Sequence, residues 1–328
     1  MALKHCLWYF SDLRGDEKID MTPFTQKSFL CGAFRHPRQM LAEQVYEGHL
    51  SVHDDVMAKD LGLRGAPIEG PTHFSQFVPL LYEVFGNVWF ERGCISAHYQ
   101  NMVVEGEEVR AFVCPGEAIC KIWAEKRDGT PVLEGTASIG PKYPDSELDV
   151  RLAKLRPVEN LIIHADVKVG QKIVEEDPVV MGFDQVMGDM YPFSLNQKLQ
   201  SITENCDWYS DADASPWGRA IIPIEMISVL THYTSRRNEI PVKGPAVGLF
   251  ADQEIKLIKG PLFVNQPYRL EREVIAVSES RRVESHWLRT SIFDGKDLVA
   301  ECILNSAVLK NSYAPYEAEA RALGKSID

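Results

Sequence analysis

The feature that most restricts this chain is an ungapped internal repeat. Residues 54–70 read DDVMAKDLGLRGAPIEG, and residues 210–226 read SDADASPWGRAIIPIEM. Laid together, Asp55 meets Asp211, Ala58 meets Ala214 and Gly62 meets Gly218, while Pro67-Ile68-Glu69 falls on Pro223-Ile224-Glu225. Roughly one identity is expected in such a window between unrelated sequences of ordinary composition. A chain of 328 residues is also long enough for two domains of similar size. The repeat therefore predicts two copies of one unit, with a spaced segment that each copy needs.

The residues after each copy correspond too. In GPTHFSQFVPLLYEVFG the residues Phe74, Phe77, Val78, Leu81, Val84 and Phe85 recur at spacings of three and four, one apolar stripe of a helix about four turns long. Pro71 suits a first turn and Gly86 a C-terminal stop, whereas Pro79 predicts a kink. The second copy offers Ile227, Leu230, Thr231 and Thr234 at the same spacing. Strand-like segments then come next in both halves: residues 94–104, 107–114, 118–127 and 130–140, then 246–258, 266–277, 282–293 and 297–308. Their alternation and β-branched content predict half-buried antiparallel strands, with the last hairpin of each half turning at Asp128-Gly129 and Asp294-Gly295. Residues 42–53 read as a strand leading into the first copy. Residues 140–157, rich in Pro, Gly and charge, read as the boundary, giving domains 1–145 and 146–328. The fold class is α+β: two curved antiparallel sheets, each wrapped around one long helix and able to pair edge to edge.

The balance of 35 Lys and Arg against 47 Asp and Glu gives a net charge of −12, which argues against nucleic acid or an anionic membrane as the main partner. Seven scattered cysteines, never spaced Cys-x-x-Cys, read as reduced thiols rather than disulfides or a zinc site. The N-terminal apolar run is too short for a signal peptide and no stretch is long enough for a membrane span, so a cytoplasmic protein is expected. No motif implies a cofactor or metal.

Ala58, Leu61-Gly62, Pro67 and Glu69-Gly70 before the helix, Asp128-Gly129, Val132 and Glu134-Gly135 in the closing hairpin, and the duplication itself resemble double hotdog proteins. The nearest group is the MaoC-like (R)-specific enoyl-thioester hydratases and dehydratases, over roughly residues 25–140 and 165–310. The resemblance implies a tandem hotdog fold. It implies an acyl-CoA or acyl-carrier thioester as substrate, hydration or dehydration as the reaction, and a soluble protein for which a homodimer is an option. In that family an Asp and a His five residues later activate water, and amides at the start of the helix meet the thioester carbonyl. The matching positions here are Glu47 and Val52, with His53 one place late; in the second half they are Thr203 and Trp208.

The resemblance thus points to a single site in the first half, built from the residues around its helix entrance. His53, Glu69, His73, Glu47 and Asp55 are the candidate catalytic residues. Gly70, Gln76 and His98 are the candidate substrate contacts, Gly70 through its amide as an oxyanion donor. Glu69 as base with His73 or His53 as acid would suit proton removal beside a thioester. Competing readings remain. Glu69 recurs as Glu225, so a cap or ion pair shared by both repeats explains it as well. Asp55 and Asp211 read rather as caps of a short helix running, in the first copy, to Leu61, and His98 rather as a residue of a wet strand face. His53 has no counterpart in the second repeat. Arg35, His36, Arg38, Arg236-Arg237 and Arg281-Arg282 are candidate phosphate contacts. An acyl-CoA thioesterase using Gln76 or Glu83, and a non-catalytic acyl-thioester binder, are the alternative functions.

Overall fold

The computed structural model describes residues 28–45, 50–235 and 240–325. Ten strands form one antiparallel sheet: β1 (Leu30–Cys31), β2 (Gly93–Tyr99), β3 (Val109–Cys114), β4 (Cys120–Lys126), β5 (Pro131–Ile139), β6 (Lys172–Val174), β7 (Gly248–Leu257), β8 (Arg269–Glu279), β9 (Val283–Asp294) and β10 (Asp297–Leu309). Their order across the sheet is β1-β3-β4-β5-β2-β7-β10-β9-β8-β6. Outward from the centre, β2-β5-β4-β3-β1 on one side answers β7-β10-β9-β8-β6 on the other. Each strand of the first half thus has its counterpart five labels later. The two five-stranded sheets meet edge to edge at β2 and β7, paired from Cys94 with Lys256 to His98 with Asp252. The pairing covers what would otherwise be two open edges.

The helix-entrance repeat lies against one face of this sheet. Gly70–Phe77 is a 3-10 helix that passes directly into α2 (Val78–Phe85), after α1 (Asp55–Asp60) and before α3 (Val88–Arg92). Pro79 therefore occupies the first turn of a new helix, where its missing N–H is harmless, instead of kinking a continuous one. The apolar stripe is buried as its spacing requires: Phe74, Phe77 and Leu81 are fully enclosed. In the second half α6 (Ile224–His232) fills the equivalent place, with Ile227 and Leu230 buried, and it packs against the 3-10 helix. One apolar core runs through both halves, from Phe74 and Ile95 to Ile227 and Ile255. α4 (Glu147–Ala153), opened by a Ser146–Asp149 capping box, stands in the segment between the two sets of strands; α5 (Leu195–Leu199) and α7 (Tyr316–Ala322) are the other α-helices among the described residues.

Two local expectations are corrected. Residues 42–45 and 50–53 are not a strand; Leu50 makes only an isolated parallel bridge to Val247, and residues 46–49 lie outside the described set. The edge strand of the first half is the upstream β1, paired with β3. The cap of α1 is Asp54, whose side chain accepts from Met57 N, not Asp55, and the helix ends at Asp60. The shared glycines are explained by backbone geometry: Gly62 and Gly218 both take positive φ, +77° and +64°. Among the described residues no helix is long and apolar enough to cross a membrane.

Candidate active site

The helix entrance of the first half opens on a cavity of about 220 Å³. His53, Glu69, Gly70, His73 and Tyr99 line it from the first half, and Met190, Tyr191, Phe250 and Ser306 from the second. The sequence places the proton-handling groups together but gives no hint that the other half supplies a wall.

His53 is held by its own loop. Its Nδ1 lies 2.7 Å from the Pro67 carbonyl oxygen, which can only accept, so Nδ1 carries the hydrogen and the neutral ring keeps its lone pair on Nε2. Ser51 Oγ accepts from His53 N at 3.1 Å and donates to Gln44 Oε1 at 2.7 Å, which fixes the backbone beneath the ring. Burial lowers the His53 pKa, partly offset by the bond to Pro67, so the ring is a neutral acceptor at physiological pH.

Glu69 is tuned the other way. Part of its surface forms the cavity wall, yet protein encloses the carboxyl, and burial raises its pKa to about 7. Lys198 and a hydrogen bond from Tyr191 Oη to Glu69 Oε1, at 3.2 Å, restrain that rise, while the Glu225 carboxylate adds to it. Two residues of one cavity thus have environments that push a base toward neutrality and an acid toward retaining its proton.

Gly70 comes next, at the first position of the 3-10 helix. Pro71 has no N–H and Thr72 N donates to the Glu69 carbonyl oxygen at 3.1 Å. The Gly70 amide is therefore the first-turn donor free to meet a ligand oxygen. Only glycine fits: a Cβ here would lie 2.6 Å from Cζ of Tyr99. Tyr99 is itself held by a 3.1 Å bond from its hydroxyl to Gln253 Oε1.

His73 lines the cavity as well, but burial, Lys198 and Lys126 bring its pKa to about 4, and its Nδ1 has only a long 3.5 Å contact to Gln76 Nε2. Gln76, on the 3-10 helix, is buried and does not line the cavity. His98 stands off the cavity, on β2, 2.7 Å from Asp252 on β7 across the sheet join. Asp55 accepts from Ala66 N at 2.9 Å, bracing the loop that carries Pro67. Glu47, Arg236 and Arg237 lie outside the described residues. Glu83 is exposed on α2 away from the cavity. Arg35, Arg38 and His36 are matched with Glu204, Glu105 and Glu108, which leaves little charge there for phosphates. Among the described residues no cluster of three or more His, Cys, Asp or Glu side chains is arranged for a metal.

The second helix entrance is built differently. In the repeat register Tyr209 stands for His53, Met226 for Gly70 and Val229 for His73, and all three are buried. Glu225, the counterpart of Glu69, is also buried, with Lys198 Nζ 2.9 Å from its Oε1. The groups that sequence reasoning missed are the partners from afar: Tyr99, Tyr191, Lys198 and the Pro67 carbonyl. No motif marks the first three, since each reaches the site through folding of distant segments.

No family model and no curated protein matches this chain. Solved structures do. One, described as a MaoC domain protein dehydratase from Chloroflexus aurantiacus J-10-fl, is 14% identical with a TM-score of 0.53, the match covering 87% of this chain and 95% of that one. Another is a conserved Mycobacterium tuberculosis protein described as essential for survival during infection and as having a double hotdog fold. It is 11% identical with a TM-score of 0.54, covering 87% of this chain and 96% of the other. The likeness is one of fold: this chain is a double hotdog, as the resemblance in its sequence implies.

Proposed function

We propose that this protein is a hydro-lyase that adds water to, or removes it from, the C2–C3 bond of an acyl thioester, with one active site at the first helix entrance. The observation that carries the reading is the oppositely tuned pair on one cavity, His53 and Glu69, beside the Gly70 amide. In the dehydration direction Nε2 of His53 takes the C2 proton of a 3-hydroxyacyl thioester. Gly70 N–H, reinforced by the start of the helix, receives the enolate charge that develops on the thioester oxygen. Protonated Glu69 then gives its proton to the C3 hydroxyl, which leaves as water. Hydration runs the same steps backwards. The 2.7 Å bond from His53 to Pro67 and the raised Glu69 pKa support this division of roles over the reverse one. The buried Tyr209, Met226 and Val229 at the second entrance support a single site.

The test monitors the loss of enoyl-thioester absorbance with 2-enoyl-CoA, and its growth with 3-hydroxyacyl-CoA, while a thiol reagent reports any hydrolysis. His53→Ala and Glu69→Gln are each expected to lower kcat by at least about a hundredfold. Full turnover in both variants would remove the assignment. Release of free thiol without change at the double bond would replace the reaction with thioester hydrolysis, and thermal stabilisation by acyl-CoA without turnover would replace it with binding.

A further inference from the structure

The two repeated Pro-x-Glu segments, far apart in sequence, meet where the 3-10 helix packs against α6. Between them stands Lys198 of α5, only 4% exposed. Its Nζ lies 2.9 Å from Glu225 Oε1, close enough for an ion pair although not aligned as a hydrogen bond, and donates to Thr72 Oγ1 at 3.3 Å. Thr72 belongs to the same turn as Glu69 and binds its carbonyl. The Phe193 ring lies 5.9 Å from the ammonium on another side. Tyr191, from the segment just before α5, completes the link by donating to the Glu69 carboxyl. A buried ion pair contributes little stability compared with apolar side chains of the same volume. Stability alone thus gives no reason for a lysine here.

We propose that Lys198 and Glu225, both supplied by the second repeat, are positioning residues for Glu69: a buried charge pair that decides at what pH the Glu69 carboxyl holds its proton. The inference rests on the reading of Glu69 as the proton-transfer group. Among the described residues the groups acting on Glu69 are Lys198 from α5, Tyr191, and Glu225 from α6; Tyr99 of β2 feels Glu69 in turn, His53 and His73 line the same cavity, and Lys126 of β4 acts on His73. Of these, Lys198 favours the carboxylate and Glu225 opposes it. Removing one or the other must therefore move Glu69 in opposite directions.

Protein labelled with 13C at the glutamate carboxyls is titrated by NMR, the Glu69 signal being the one lost in Glu69→Gln. In parallel, the pH profile of kcat/KM is measured in the dehydration direction. Lys198→Met is expected to raise the Glu69 midpoint by about one unit and to shift the alkaline limb upward with it. Glu225→Gln is expected to lower both by a similar amount, the double variant to return near the starting value, and Lys198→Arg to leave it in place. A purely structural pair would move stability without opposed midpoints. Midpoints that stay fixed, or move the same way, in folded Lys198→Met and Glu225→Gln overturn the inference. Should Lys198→Met fail to fold, the downward shift in Glu225→Gln decides alone. The NMR midpoint needs no substrate, so the two failures separate. Opposed midpoints in a protein that turns over no acyl thioester would sink the catalytic reading of Glu69 and keep the coupling; Glu69-dependent turnover with immobile midpoints would do the reverse.

Discussion

At the scale of single residues, Gly70 carries two demands that no other residue meets together. Its amide opens the helix toward the cavity, and its α-carbon sits under the Tyr99 ring, where a Cβ would approach ring carbons to 2.6 and 2.7 Å. The ring cannot swing away cheaply, because its hydroxyl is bonded to Gln253 and Gln253 in turn to Ser228 at 2.8 Å. Gly70→Ala is thus expected to cost about 1–3 kcal/mol in urea unfolding, as overpacking does. It should also lower kcat about a hundredfold, since displacing an oxyanion donor by about 1 Å has that effect. Normal kcat in a destabilised variant would remove the amide from the mechanism. The Glu-Gly dipeptide could be singled out from the sequence because it sits at a helix entrance. Tyr99 could not, because a tyrosine in a strand has no reason in sequence to pack against a particular glycine. Lys198 was hidden for the same reason: a lysine in an amphipathic stretch reads as solvated until folding buries it.

At the scale of elements, periodicity identified what burial enforces and missed what hydrogen bonding decides. Four of the five strands of each half were legible because alternation records which face meets the core, as the strict buried-and-half-buried pattern of β3 does; the short edge strands β1 and β6 were not. The stripe from Phe74 to Leu81 was legible for the same reason. The switch from 3-10 to α geometry at Val78 was not, since both forms bury nearly the same positions over two turns. Leu81 tests whether the second part of this helix anchors the first. It is fully enclosed on α2, between the sheet and the 3-10 turn, with no polar group to leave unpaired. Leu81→Ala is expected to cost about 2–5 kcal/mol from lost transfer energy and the cavity left behind. The Glu69 midpoint should not move, because no charge near it changes. A displaced midpoint would mean that the entrance turn moves with α2, and that packing as well as charge controls the site.

At the scale of the whole molecule, the shared interior of the two halves holds several histidines that burial keeps neutral. Burial lowers the pKa of His73 to about 4, of His232 to about 4 and of His286 to about 3, each from an ordinary 6.5. His232 and His286 belong to the second half, where His286 Nδ1 meets His164 Nε2 at 3.1 Å and both rings are buried. A histidine whose folded pKa is depressed contributes stability that is complete above the unfolded pKa and disappears as pH falls toward the folded one. These three therefore begin to favour the unfolded chain below about 6.5 and go on doing so down to about 4 for His73 and His232 and about 3 for His286. Glu69 acts with opposite sign, because its folded pKa is raised to about 7: its contribution is complete below 4.5 and is lost as pH rises through 7. The expected result is a stability maximum just above pH 7 and a fall of the urea midpoint toward pH 4.5, with unfolding taking up about two protons net at the steepest point, about three by the histidines less about one given up by Glu69. A second loss should begin below 4.5. There Glu284, held to about 2 against its burial by the His164 side chain, whose Nδ1 lies 3.7 Å away, and by bonds from the Ile162 and His164 amides and Tyr316, must be protonated. His286→Gln should lower the first uptake by about one proton and leave the second in place. Stability that stays level between pH 6.5 and 4.5 would mean that water reaches these rings, and that the second half is packed more loosely than their burial requires.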